Sequence, residues 1–231
     1  MNAGTVEQSA GTSLRVLDLG LEPYATTLRR QEELVHQRLL GIAPDTLILV
    51  EHPPVVTLGR AKPHDNLLLD PAALAARGIE FFEITRGGDA TYHAPGQLVG
   101  YPIFDLRQRE RDVLLFCRGI EAALIGTLAT FGIAAKAVPR KAGVWVGEKK
   151  IASLGISVRR WITFHGFALN VTTDLAGFHV IRPCGEDPGI MTSMAALLGG
   201  PVAMDGVRRV VAAQFADTFS LTVTSAHSRA V

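Results

Sequence analysis

Cysteine is scarce in this chain. There are two, Cys117 and Cys184, in 231 residues, and they form no CxxC pair. A disulfide framework is therefore excluded, and a reduced, cytoplasmic protein is expected. Charge of neither sign dominates: 23 Lys and Arg against 22 Asp and Glu leave a net +1. That excludes a strongly basic nucleic-acid binder as a class, so any charged partner must meet a local patch. No apolar run approaches the roughly 20 residues that span a bilayer, so no membrane association is expected. The opening residues, MNAGTVEQSAGTS, have neither a basic n-region nor an apolar h-region, and no signal peptide is read there. GK[ST], GxGxxG and HExxH are all missing, so no phosphate loop, dinucleotide fingerprint or helix-borne zinc pair is indicated.

What is present is an ordinary globular composition, 48% apolar and 19% charged. A chain of this size buries roughly 70–75% of its unfolded surface, enough for a core without staples. No repeat or long linker interrupts it. The expected organisation is one domain over 13–224, with a disordered tail at 1–12 and a short tail at 225–231.

Strands are expected at Leu14–Leu19, Thr46–Glu51 and Ile162–Val171, and a hairpin over Ala142–Val158 that turns at Gly147, Glu148 and Lys149. Helices are expected at Pro23–Leu40, after the Asp70-Pro71 cap, over Gln108–Phe131, and from an Asp205 cap to Phe219. Strands and helices mix without strict alternation. This favours an α+β fold with a central mixed, mostly antiparallel sheet flanked by helices.

The two thiols differ in setting. Cys117 falls on the apolar stripe of the longest helix and reads as a small core hydrophobe. Cys184 sits in IRPCGEDPG, a Pro- and Gly-rich loop. It reads either as a nucleophile or as an incidental loop cysteine. A free thiol is only about 3% thiolate at pH 7, so a nucleophile needs a cation or base beside it. His93, His165, His179, Arg182 and the Lys149–Lys150 pair are the candidates. A zinc site built from His93, His165 and Cys184 is the weaker use of the same residues.

Side chains alternate along a strand, so Lys150 shares a face with Ala152, Leu154 and Ile156, and Lys149 shares one with Ile151, Ser153 and Gly155. If the first face is buried, Lys150 points inward, where desolvation disfavours its charged form and suits it to act as a base. The competing reading leaves both lysines solvated in a turn. The segment RGGDATYHAPGQLVGYP, from Arg86, is the densest cluster of glycine and polar residues. Its glycines allow close backbone approach to a ligand, or simply a tight hairpin.

Four blocks carry a resemblance: RGGDATYHAPGQLVGYPIFDL from Arg86, RKAGVWVGEKKIASLGISV from Arg140, FHGFALNV from Phe164 and IRPCGEDPGIMTSM from Ile181. Together, in this order and across the middle half of the chain, they resemble the lipoyl(octanoyl) transferase family. The resemblance implies the catalytic-domain fold of the biotin and lipoate protein ligases. It also implies transfer of an octanoyl or lipoyl group from acyl carrier protein to a lysine of lipoyl domains, through an acyl-cysteine thioester, with no cofactor and no metal. The acceptors it implies are the apo lipoyl domains of 2-oxoacid dehydrogenase complexes and the glycine cleavage H protein.

By the same match the cysteine is Cys184 and its partner Lys150. The implied substrate-binding residues are Arg86, Gly87, Gly88, Asp89, Ala90, Thr91, Tyr92, His93, Ser153, Leu154, Gly155, Gly166, Phe167 and Ala168. Arg140 with Lys141, or Arg159 with Arg160, would offer an acidic carrier its basic patch. An ATP-dependent lipoate or biotin ligase on the same fold is the alternative; it would activate a free acid and need no cysteine.

Overall fold

The computed structural model describes residues 13–60 and 66–225. The tail read at 1–12 lies outside the described residues, as does 226–231. Ser225 still belongs to the last strand, paired with Val16.

In chain order the elements are β1 (Ser13–Leu21), α1 (Tyr24–Leu39), β2 (Asp45–Glu51), β3 (Val55–Leu58), α2 (Pro71–Ala75), β4 (Glu80–Glu83), β5 (Ala90–His93) and β6 (Gln97–Ile103). Then come α3 (Val113–Thr130), β7 (Lys136–Val138), β8 (Lys141–Val146), β9 (Lys149–Arg159), β10 (Ile162–Asn170), α4 (Met194–Leu198), α5 (Met204–Thr218) and β11 (Thr222–Ser225).

Eight strands form one sheet in the order β11-β1-β2-β6-β10-β9-β8-β7. Its β11–β1 and β1–β2 pairings are parallel and the rest antiparallel, giving the mixed, mostly antiparallel sheet expected. A separate small sheet, β4-β3-β5, stands beside it.

The central strands are buried on both faces: β6 and β10 are buried along their whole length. One face packs Leu47, Leu98 and Phe167 against Ile120 and Leu124 of α3 and Val211 and Phe215 of α5. The other packs Ile48, Val50, Val99 and Ile162 under Tyr24, Leu34 and Val35 of α1. A third cluster, including Val56, Tyr92, Phe178 and Ile181, fills the small sheet.

Several boundaries shift for local reasons. α3 starts at Val113 because Asp112 caps it, accepting from Leu114 N (2.8 Å) and Leu115 N (3.0 Å); Gln108 ends a separate 3-10 turn. Asp205 does not cap α5. It lies in the first turn and pairs with Arg208 (3.1 Å). Lys149 is already in β9, so the hairpin turn is Gly147-Glu148. By length and composition α3 could cross a membrane, which the count of apolar runs had not allowed for. Its buried face, from Phe116 to Leu128, belongs to the core.

Candidate functional site

Lys150 is the buried cation of the site. It lies at the start of β9 opposite Trp145 of β8, is 5% exposed, and holds its ammonium 5.5 Å from the centre of the Trp145 ring. Lys149 is exposed and donates to Gly189 O (2.6 Å). The alternation argument selected the right lysine on an incomplete premise. β9 is buried on both faces from Lys150 to Ala152, and a bulge there interrupts simple alternation: Trp145 pairs with Lys150 and its neighbour Val144 with Ala152, leaving Ile151 as the extra residue.

The segment carrying Cys184 runs across the end of this strand. The backbone of Cys184 lies in a 3-10 turn, Pro183–Gly185, against which β5 packs; its side chain is not among the described atoms. The segment is pinned on both sides of the turn. Upstream, Arg182 N donates to Asn66 O (2.8 Å) and Leu67 bridges Ile181. The Asn66 side chain in turn donates to Asp89, whose other oxygen accepts from Ala90 N (2.7 Å). Downstream, Met191 bridges Lys150, and Thr192 N donates to Lys150 O (2.9 Å). The chain that precedes Cys184 is thus tied to the Arg86–His93 segment, and the chain that follows it to the lysine.

Beside this turn lies a small cleft that opens to solvent, with a cavity volume of about 40 Å³. Arg86, Gly88, Asp89, Ala90, Thr91, His93, Ser153, Leu154, Gly155, Gly166, Phe167 and Ala168 line it, with Pro183 at the Cys184 turn. Two of the residues expected there do not. Gly87 faces a neighbouring groove, its N–H donating to Ile156 O (3.1 Å). Tyr92 packs edge-on against Phe178. Small residues make the cavity possible. A Cβ at Gly155 would meet Arg86 and the Gly87 carbonyl, and one at Gly166 would collide with the Gly100 carbonyl.

The lining also includes Tyr24, Thr57, Val99, Tyr101 and His165. Of these only His165 was singled out from the sequence, and as a partner for the thiol. Val99 and Tyr101 lie in β6, within the block that begins at Arg86 but unremarked there; Tyr24 of α1 and Thr57 of β3 lie outside every motif, and no spacing could have collected them.

Two buried histidines, His93 and His165, line this space, and a third, His52, lies behind them with its ring 5.9 Å from that of His93. Burial pushes His93 down to about 3, helped by the charges of His52, Arg86 and His165. Burial and Arg86 push His165 down to about 3. Burial also takes His52 down to about 4; its Nε2 lies 2.8 Å from Tyr101 Oη. All three are neutral at pH 7, so neither His93 nor His165 offers a thiolate a cation. Arg86 is held by Thr57 O (2.8 Å) and Gly87 O (3.0 Å) and is committed to shaping the loop. His179 and Arg182 are exposed. Among the cations named from the sequence, Lys150 alone is both buried and tied to the Cys184 segment.

The same residues match a known family model. The lipoyl protein ligase A/B catalytic domain model covers residues 23–216. The chain belongs to this family. It is 51% identical to an octanoyltransferase of Solibacter usitatus over 87% of this chain and 90% of that protein. It is 47% identical to one of Geobacter metallireducens over 87% of this chain and 92% of that protein. In three dimensions it is similar to the bipartite lipoate protein ligase of Thermoplasma acidophilum: TM-score 0.70, 19% identity, 93% of this chain and 86% of that one. That likeness establishes the lipoate ligase fold. The cavity lies between the small sheet and β9–β10.

Proposed function

We propose that this chain is an acyltransferase of protein lipoylation. It moves an octanoyl group from acyl carrier protein to a lysine of a lipoyl domain, through a thioester on Cys184 with Lys150 as its acid–base partner. The relatives it matches over most of their length are octanoyltransferases, which supports the overall reaction. The observation that carries the site assignment is the backbone tie between Lys150 and Thr192, which brings a buried lysine to the Cys184 segment at the edge of a partly apolar cavity.

The Lys150 ammonium balances a Cys184 thiolate. The thiolate attacks the carbonyl carbon of the octanoyl thioester. The carrier's sulfur leaves and takes a proton from Lys150, so the acyl-enzyme carries a neutral lysine. The amine of the acceptor lysine then attacks the Cys184 thioester. Its surplus proton passes to Lys150, the amide forms, and the thiolate–ammonium pair is restored. Thioester exchange is nearly isoenergetic and the amide is the more stable product, so no nucleotide is consumed.

Val99, Leu154, Phe167 and Ala168 give the octanoyl tail apolar walls. Burying its seven apolar carbons is worth about 5–6 kcal/mol. Lys141, paired with Glu186 (3.3 Å) beside the Cys184 turn, and the exposed Arg159 and Arg160 are the cations available to an acidic carrier. The lipoyl domains of 2-oxoacid dehydrogenase complexes and the glycine cleavage H protein are the proposed acceptors.

The test is the intact mass of the protein after incubation with octanoyl-acyl carrier protein without ATP. One octanoyl group, released by hydroxylamine and absent in Cys184→Ala, is expected. No adduct, with lipoyl-domain acylation only from free octanoate and ATP, would replace this reading with an adenylating ligase.

A further inference from the structure

We infer that the buried side-chain amides of Gln97 and Asn170 form a positioning chain that holds the Cys184 segment in register with Lys150. The inference rests on the transferase reading above, and it adds two residues outside the cavity lining.

The chain is continuous. Asn170 Nδ2 donates to Thr192 O (2.9 Å), and Thr192 N donates to Lys150 O (2.9 Å). Asn170 Oδ1 accepts from Gln97 Nε2 (2.9 Å), which also donates to Tyr92 O (3.1 Å). Gln97 Oε1 lies 2.7 Å from His93 Nδ1. Gln97 and Asn170 are each 1% exposed, and they face each other in the β6–β10 register.

Its direction is fixed from both ends. Tyr92 O and Thr192 O are backbone carbonyls and can only accept, so the amide nitrogens must face them. Gln97 Oε1 therefore faces His93, whose Nδ1 must carry the proton, leaving Nε2 as the bare acceptor. Turning Asn170 over would set its Oδ1 against Thr192 O, two acceptors in a buried site. Only one arrangement satisfies every group, and that arrangement joins a sheet buried on both faces to the loop.

The loop needs such a tie. From Pro183 to Ile190 it is built of short 3-10 turns, with local hydrogen bonds such as Gly185 N to Arg182 O (3.1 Å). These shape the turns but do not set their place against β9. The exposed Lys149 reaches Gly189 O (2.6 Å) and Met191 bridges Lys150, but Thr192, anchored by Asn170 on one side and Lys150 on the other, is the tie held by buried side-chain amides.

Asn170→Leu tests this. It keeps the volume, removes the amide and leaves the cavity lining intact. The expected result is a kcat for octanoyl transfer lowered about 30- to 100-fold, as a misplacement of order 1 Å costs, with KM changed less than about twofold. Alkylation of Cys184 by iodoacetamide, read by peptide mass, should slow severalfold as well. Thr163→Val removes two equally buried hydrogen bonds of the same strand, to Pro102 O (2.7 Å) and from Phe104 N (3.0 Å). It should lower the melting temperature and leave both rates unchanged. If Asn170→Leu does not fold, Asn170→Ser is read in the same way. Folded Asn170 variants with wild-type kcat and wild-type alkylation would overturn the inference. The alkylation comparison needs no acyl donor, so a wild-type protein that forms no adduct would refute the transferase reading while the positioning role is still decided.

Discussion

Gly143 and Lys150 occupy one space. A Cβ built on Gly143 would stand 2.7 Å from Lys150 Cε and collide with the Ala152 carbonyl. Gly143 also has φ +119, a backbone conformation that side-chain-bearing residues rarely adopt. The missing side chain on β8 is what lets the lysine lie back over Trp145. Gly143→Ala should therefore displace the ammonium and lower the rate of octanoyl adduct formation by at least about tenfold. Adduct mass against time, with thermal melting to show the fold persists, checks it. A wild-type rate would mean that Lys150 needs no such niche.

The two cysteines should separate cleanly. Burial, with Glu121 and Asp112 nearby, pushes the Cys117 thiol up to about 11. At pH 7 it is almost entirely protonated and slow to alkylate. Cys117→Ala is expected to retain octanoyl transfer, while Cys184→Ala loses the adduct. An octanoyl group found on the peptide bearing Cys117 would contradict this.

Acyl length should be read by the cavity walls. Each methylene withdrawn from them forfeits about 0.8 kcal/mol, so a hexanoyl donor, two methylenes shorter, should lose about 15-fold in kcat/KM. Equal efficiency for hexanoyl and octanoyl carriers would place the chain outside Leu154, Phe167 and Ala168.

Stability should fall as the pH falls below about 6.5. In the unfolded chain His52, His93 and His165 take up protons near that pH. In the folded protein burial holds them at about 4, 3 and 3. Between these values the unfolded state binds more protons, so each histidine removes about 1.4 kcal/mol per pH unit of acidification. Denaturant midpoints measured from pH 7 to pH 4.5 should decline, and His165→Gln should decline less steeply. A flat wild-type profile would refute the burial of neutral imidazoles.

Arg38 supports the scaffold rather than the site. It is 1% exposed and donates to Asp45 (2.9 Å) and Gln108 (2.7 Å), with Asp105 at 3.7 Å. Arg38→Ala removes one of two arginines from the buried carboxylates Asp45 and Asp105, which keep Arg109 (3.1 Å) and Arg107 (2.7 Å), and should cost about 1.5–3 kcal/mol. The kcat of the folded fraction should stay at the wild-type level, which melting and activity measured together would show.

Much of this was legible in the chain itself. The Asp70-Pro71 cap and the apolar run TLILV act through neighbouring residues, and both elements formed where local chemistry placed them. Lys150 and Cys184 could be named because the blocks around them are contiguous in sequence. Local rules failed where two signals competed. Asp205 carries a capping side chain, yet α5 starts one residue earlier, and the Arg208 pair takes its carboxylate.

The sequence by itself determined the family, the helices and central strands, and the two residues on which the chemistry is proposed, because each is written in adjacent residues. Only the tertiary structure decided what surrounds them. Tyr24, Thr57 and Tyr101 reach one cavity from three separate elements. The Gln97–Asn170 chain closes across the β6–β10 register, between residues 73 positions apart. The His93 and His165 rings lose their charge only because the core closes around them. Such contacts depend on strand register and burial, which arise when the sheet assembles and leave no spacing in the chain to read.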